Sequence, residues 1–199
     1  MNVRDSIPSR LDKSLSTAAE LVRSSPGIRF AVVVGKGNGI LAVPLTDDPE
    51  SILQLLNMLG SSSLSAPGTN LEKLVDAGLA AFPDVFPTRK RIVLFSDGEA
   101  LDGSLDAAAE RLRIRQVGLI SVGFGSVEGM PVPLAGTEDE FLRDEDNKAV
   151  ISRLRPDVLR RAAELTGERY FSGDRSDAAQ QLVRHIAGLS AMDAMESFR

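Results

Sequence analysis

A carboxylate and a hydroxyl directly follow an apolar run near the middle of the chain. Residues 92–95 (IVLF) lead at once into Ser96, Asp97, Gly98 and Glu99. A continuous apolar run predicts a strand buried on both faces of a parallel sheet, and ligands of such sheets bind beyond the carboxyl ends of the strands. Glycine at position 98 allows a sharp turn there. We therefore predict that Asp97 faces a binding crevice, with Ser96, Gly98 and Glu99 as additional ligand or rim positions.

The second oxygen donor is Thr69, which follows Gly68 and precedes Asn70 at the start of a predicted helix. Carboxylate and hydroxyl oxygens, without nitrogen or sulfur donors, suit a hard cation such as Mg²⁺. Each residue also has a plainer interpretation. An Asp-Gly pair after a strand often forms a turn, and a threonine at a helix entrance often satisfies backbone N–H groups. The residues alone leave ligation, turn and cap open.

Alternating strands and helices are expected to position these residues. Helices are predicted at about residues 11–22, 48–59, 70–82, 105–116, 156–166 and 177–189, and strands at 28–34, 39–43, 92–96, 117–124 and 169–171. This alternation predicts a three-layer, mostly parallel open α/β sheet with helices on both faces. The glycine-rich turn at residues 35–39 predicts a hairpin with one antiparallel edge strand. Residues 125–154 form a long polar insertion, which is either a functional rim or an adaptable loop.

Composition narrows the function classes. The 199 residues suit a single domain, predicted over residues 1–189, with residues 190–199 as a tail or linker. The net charge of −5, with mixed signs along the chain, argues against nucleic acid as a partner. There is no cysteine and one histidine, so a zinc site would lack its usual ligands. No stretch reaches the length of a membrane span, and we expect no membrane contact by this chain itself.

An ordered set of motifs resembles von Willebrand factor A-type domains. They are PLTDD at residues 44–48, Gly68-Thr69, IVLFSDGE at 92–99 and VGFG at 122–125. More narrowly, GMPVP at 129–133, FLRD at 141–144, VISRL at 150–154 and LTG at 165–167 resemble the bacterial, membrane-anchored Bat-type aerotolerance proteins. The resemblance covers nearly the whole chain, and the order and spacing of the motifs make it specific.

The resemblance implies a metal-ion-dependent adhesion site, in which three segments hold Mg²⁺, Mn²⁺ or Ca²⁺. It makes Thr69 the threonine of the second segment and Asp97 the aspartate of the third. The first segment, Asp-x-Ser-x-Ser after the first strand, is absent, and we expect the chain to begin just after it. We expect metal affinity in this chain to be weak or nil. We also expect the strands at 28–34 and 92–96, which flank that strand in the family, to pair directly or to accept a strand of another chain.

The resemblance further implies a non-catalytic protein-interaction domain whose partner donates a carboxylate to the metal. The implied partners are other Bat-type proteins and a MoxR-type AAA+ ATPase, with the parent protein anchored in the bacterial inner membrane and this domain on the periplasmic side. The expected rim of the partner-binding site is residues 61–68, 99–103 and 138–146. The last of these segments is explained equally well as a solvated loop.

Two alternatives remain. One is a Mg²⁺-dependent hydrolase or phosphatase using Asp97, although the chain has no phosphate-binding loop or nucleophile elbow. The other is a degenerate, metal-independent binding module of the same family.

Overall fold

The computed structural model describes residues 3, 5, 8–36, 38–59, 70–83, 89–100, 102–134 and 140–196. The helices of this part are α1 (Arg10–Arg23), α2 (Pro49–Met58), α3 (Leu71–Ala80), α4 (Leu105–Ile114), α5 (Pro156–Leu165) and α6 (Ala178–Glu196). The strands are β1 (Phe30–Lys36), β2 (Asn38–Thr46), β3 (Lys90–Ser96), β4 (Val117–Gly123), β5 (Met130–Pro131), β6 (Ile151–Ser152) and β7 (Tyr170–Ser172).

Polar side chains cap the starts of four helices. Ser9, Asp48, Asn70 and Ser104 each accept a hydrogen bond from a backbone N–H of the first turn of their helix. Such caps satisfy donors that have no partner within the helix. Asn70 therefore provides the cap of α3.

The predicted α/β fold is confirmed. β3, β4 and β7 form a parallel sheet in which β4 is central, and β1 and β2 form the predicted antiparallel hairpin. Alternate residues of β3 face opposite layers: Ile92 and Leu94 pack with α3, α4 and α5, whereas Val93 and Phe95 pack with α1 and α6. Apolar cover on both faces explains why the run at 92–95 does not alternate with polar residues.

The predicted direct pairing of β1 with β3 is wrong. Within the described part of the chain the hairpin and the parallel sheet remain separate sheets. The two sheets nevertheless share one apolar cluster, because Phe30 of β1 packs against the same buried residues as Val93 and Phe95. Helix α3 contacts β1, β2 and β3, so it bridges the hairpin and the parallel sheet and holds the two sheets in place. The remaining prediction, that another chain supplies a strand there, is untested.

Two other segments contain more regular structure than predicted. The insertion at residues 125–154 contains the antiparallel pair β5–β6 and two further β-bridges, Pro133 with Phe141 and Arg143 with Ala149, so it is more than a loop. Helix α6 continues to Glu196, through most of the predicted tail. Backbone pairing and helix continuation need no strong sequence periodicity, and the periodicity in both segments is weak.

Candidate functional site

The carboxyl end of β3 turns sharply at Gly98. The Ser96 hydroxyl accepts a hydrogen bond from the Gly98 N–H at 3.0 Å, and Asp97 Oδ1 accepts one from the Glu99 N–H at 3.3 Å. Gly98 has a φ of +77°, and a Cβ there would lie 2.7 Å from the Arg155 carbonyl oxygen. Only glycine fits both constraints. The turn places the Asp97 carboxylate at the carboxyl edge of the sheet, as predicted, but only 6% of the residue is exposed.

The Arg10 guanidinium lies against Asp97 and is completely buried. It is the first residue of α1, and its relative exposure is 0%. Its Nη1 donates to Asp97 Oδ2 at 3.3 Å and to Ser152 Oγ at 2.8 Å. Its Nε and Nη2 donate to the two carboxylate oxygens of Asp5, at 2.7 and 2.6 Å. Nη2 also donates to the Ser152 carbonyl oxygen at 3.1 Å.

Asp5 is the main counter-charge of Arg10. Its carboxylate also accepts hydrogen bonds from the N–H and hydroxyl of Ser126, at 2.8 and 3.1 Å. Burial acts to raise the pKa of Asp5, but the hydrogen bonds from Arg10 and Ser126 and the charge of Arg10 outweigh it and lower the pKa to about 2. Burial likewise opposes the charge of Arg10, and Asp5 and then Asp97 raise its pKa above the usual value. Both groups are therefore ionised at neutral pH.

Glu99 joins this network through Ser152. The Ser152 hydroxyl donates to Glu99 Oε2 at 2.6 Å, and the Arg153 N–H donates to Oε1 at 2.8 Å. Arg10, Asp97, Ser152 and Glu99 thus form one connected hydrogen-bonded set, which joins the start of α1, the turn after β3 and strand β6. Glu99, predicted as a rim position, is tied to the β6 segment.

The structure describes some of the predicted site residues and not others. Asp97 lies directly after β3 and Gly98 turns the chain, but the Asp97 carboxylate, expected to face a binding crevice, is buried against Arg10. The Ser96 hydroxyl, also expected to face the crevice, accepts a hydrogen bond within the turn. Gly68 and Thr69 lie outside the described residues, so their role stays a prediction. No group of three or more histidine, aspartate or glutamate side chains in the described residues is arranged to hold a metal.

The described donors do not fit a magnesium site. Both oxygens of Asp97 accept hydrogen bonds, one from a backbone N–H and one from a guanidinium. Mg²⁺ requires oxygen ligands in near-octahedral geometry and sheds its waters reluctantly. A carboxylate already shared with a buried cation is a poor ligand for such an ion.

Sequence reasoning missed Arg10, Asp5 and Ser152. A charged residue is expected at the surface unless it is paired, and nothing in the spacing indicated pairing over such distances. One signal was present: Arg10, Ser14, Thr17 and Leu21 form a second helical stripe on α1, and all four are buried. Three of these residues are polar, so a search for apolar periodicity does not detect the stripe.

The single histidine takes part in a structural contact. His185 Nε2 lies 3.1 Å from Glu168 Oε2, and the imidazole packs beside the ring of Phe171. Its side chain is 17% exposed.

A parallel sheet covered by helices on both faces, with its polar cluster at the carboxyl edge, defines an open-sheet α/β domain. The sequence matches the family model of the von Willebrand factor type A domain over residues 1–99. The chain belongs to the von Willebrand factor type A family. None of the curated proteins matches the sequence.

Solved structures extend the likeness over nearly the whole chain. BatB from Bacteroides thetaiotaomicron is 24% identical, with a TM-score of 0.89 over 96% of this chain and 93% of that protein. An aerotolerance-related membrane protein from Bacteroides fragilis is 25% identical, with a TM-score of 0.86 over 93% of this chain and 91% of that one. Proximal thread matrix protein 1 of the mussel byssus is 17% identical, with a TM-score of 0.59 over 87% of this chain and 40% of that one. The described helices include none that is long and apolar enough to cross a membrane.

Proposed function

We propose that this chain is a non-catalytic protein-interaction domain that binds its partner at the carboxyl edge of the parallel sheet. The observation that carries the proposal is a short β-ribbon at this edge, residues 130–134 and 140–152, which we call the edge ribbon. It exposes large apolar side chains: Met130 at 43%, Leu134 at 42%, Phe141 at 41% and Leu142 at 45%. Apolar side chains concentrated on one exposed element often mark an interaction surface.

The edge ribbon presents these side chains from a defined backbone. The N–H of Leu142 donates to the Val132 carbonyl at 2.8 Å, and the N–H of Leu134 donates to the Glu140 carbonyl at 2.7 Å. Successive strand residues point to opposite faces, and the adjacent Phe141 and Leu142 are about equally exposed. Both faces of the edge ribbon are therefore available to a partner.

The polar cluster favours binding over catalysis. Nucleophilic catalysis needs a nucleophile and a base within hydrogen-bond reach. Ser96, the hydroxyl beside Asp97, accepts a bond within its own turn, and His185 contacts Glu168 instead. The alternative, a Mg²⁺-dependent phosphatase, predicts hydrolysis of p-nitrophenyl phosphate that is lost in Asp97→Ala.

The family resemblance supplies the proposed partners and cofactor. In a complete site, Thr69 and Asp97 would help to hold Mg²⁺, and a carboxylate of the partner would complete its coordination. The proposed partners are a MoxR-type AAA+ ATPase and other Bat-type proteins of the same organism. In this chain we propose weak metal binding or none, so that the partner contact depends on the edge ribbon and its neighbouring loops.

The test is to titrate the purified chain with the MoxR-type ATPase of the same organism by calorimetry. Burying two large apolar side chains contributes about 3 kcal/mol or more, so Phe141→Ser with Leu142→Ser should weaken binding about a hundredfold. Ile114→Ser is the matched control, since Ile114 is 66% exposed on α4 just before β4 begins, at the opposite edge. Equal affinities of the double variant and the control would contradict the proposed surface.

A further inference from the structure

Arg10 uses every donor of its guanidinium at the carboxyl edge. The group has five N–H donors. Nε–H bonds Asp5, the two N–H of Nη1 bond Asp97 and Ser152, and the two N–H of Nη2 bond Asp5 and the Ser152 carbonyl. The fork-to-fork pair with Asp5 has the geometry at which arginine and carboxylate bind most strongly. The surroundings are therefore complementary to a planar, five-donor cation.

The backbone is also shaped around this group. Gly125 lies against the guanidinium, and a Cβ at this position would be 2.3 Å from Arg10 Nε. The N–H of Gly125 is fixed by Asp174 Oδ2 at 2.6 Å, and Lys13 of α1 binds the same aspartate. The Arg10 guanidinium therefore has no free space on the side of Gly125. A large movement away from Asp97 would also break its bonds to Asp5 and Ser152.

We propose that Arg10 is the resident cation of the carboxyl edge. Its guanidinium supplies to Asp97 the positive charge that a metal ion supplies in a complete adhesion site, and for that reason this chain does not take up Mg²⁺ at Asp97. A divalent ion on the same carboxylate would lie close to a guanidinium that is already 3.3 Å away. Like charges at such separations in a buried site repel strongly.

This inference rests on the proposed function and changes how the partner is held. Arg10 is 0% exposed and Asp97 is 6% exposed, so a partner carboxylate cannot reach the resident cation as it would reach a metal. The cation instead joins α1, the turn after β3 and strand β6. The partner then contacts exposed groups, such as those of the edge ribbon.

The first experiment is a Mn²⁺ titration of the full chain, with free Mn²⁺ measured by electron paramagnetic resonance. The unaltered protein should show no saturable binding at millimolar Mn²⁺, and its Tm should not change with Mn²⁺ or Mg²⁺. Stoichiometric binding that disappears in Asp97→Asn would overturn the proposal. This measurement needs no destabilised variant and does not involve a protein partner, so its failure is distinct from failure of the proposed function.

The second experiment removes the resident cation. Arg10→Gln should lower the Tm and bind Mn²⁺ at least about tenfold more tightly than the unaltered chain, because the repulsion is removed and two carboxylates are released. The gain should be absent when Asp97→Asn is added. Arg10→Lys keeps the charge and should still exclude Mn²⁺. Arg113→Gln is the control, because that guanidinium is 57% exposed and pairs only with Glu110 among described residues. A folded Arg10→Gln with no gain in Mn²⁺ binding would refute the role of Arg10.

Discussion

Replacing Asp5 by asparagine tests the strength of the buried ion pair. Asp5 and Arg10 have side-chain exposures of 4% and 0%. The pKa of Asp5 is about 2 against the usual 3.8, which corresponds to about 2 kcal/mol of stabilisation at neutral pH. Removing one partner of a buried pair costs more, about 3–5 kcal/mol, because the other charge stays buried. Arg10 keeps Asp97 and Ser152, so we expect a loss of about 3 kcal/mol for Asp5→Asn.

Urea unfolding followed by far-ultraviolet circular dichroism measures this loss, since the chain has no tryptophan for fluorescence. Asp146→Asn is the matched control. The Asp146 side chain is 77% exposed and contacts Lys148 at 3.4 Å, and exposed pairs contribute about 0–1 kcal/mol. A loss for Asp5→Asn no larger than that for Asp146→Asn would refute the assigned strength.

The pH dependence gives an independent check on the same pair. Because the pKa of Asp5 is lower in the folded state than in the unfolded chain, its stabilisation is fully present above the unfolded value of 3.8. It is lost as the pH falls from about 4 towards about 2. The unaltered protein should therefore lose more stability over this window than Asp5→Asn does. Parallel stability curves for the two proteins between these pH values would show that Asp5 does not carry the effect.

Three further predictions follow from particular contacts. Gly125→Ala should destabilise the chain more than Gly27→Ala in urea unfolding: both glycines have positive φ, but only at Gly125 does the new Cβ meet Arg10. Equal losses would show that backbone strain alone is responsible. Backbone amides of β3 should exchange with deuterium faster than those of β4, because β4 pairs with two described strands and β3 with one; equal protection would mean that the second edge of β3 is paired in solution. Arg111→Ala should lower the free energy of unfolding by less than about 1 kcal/mol, and by less at high salt, because its bonds to the acidic side chains of α3 are partly exposed. A loss of several kcal/mol would show that these exposed pairs are stronger than we expect.

Local sequence patterns predicted the main strands and the hairpin of the fold well. The apolar run at 92–95 predicted a doubly covered strand, and the Gly-rich turn predicted the β1–β2 hairpin, because both signals arise from neighbours in sequence. The position of Asp97 after β3 follows from the same run. These features required no knowledge of contacts between distant segments.

The chemistry of the site could not be predicted in the same way. Arg10 is separated from Asp97 by 87 positions and from Ser152 by 142, and no periodicity links positions so far apart. Direct pairing of β1 with β3 was one of two outcomes expected from the cost of unpaired strand edges, and the described sheets do not show it. That reasoning did not include α3, which holds the two sheets in place from one side.

Ser152 connects the buried hydrogen-bonded network to the exposed edge ribbon. Ser152, which accepts two bonds from Arg10, is a residue of β6 and pairs with Met130 of β5. Arg10 therefore fixes the base of the edge ribbon, while the apolar side chains farther along it stay exposed. A surface that is already ordered loses less conformational entropy on binding. If the partner binds at the edge ribbon as proposed, we expect Arg10 to contribute to its affinity without touching it, by ordering the base of the ribbon.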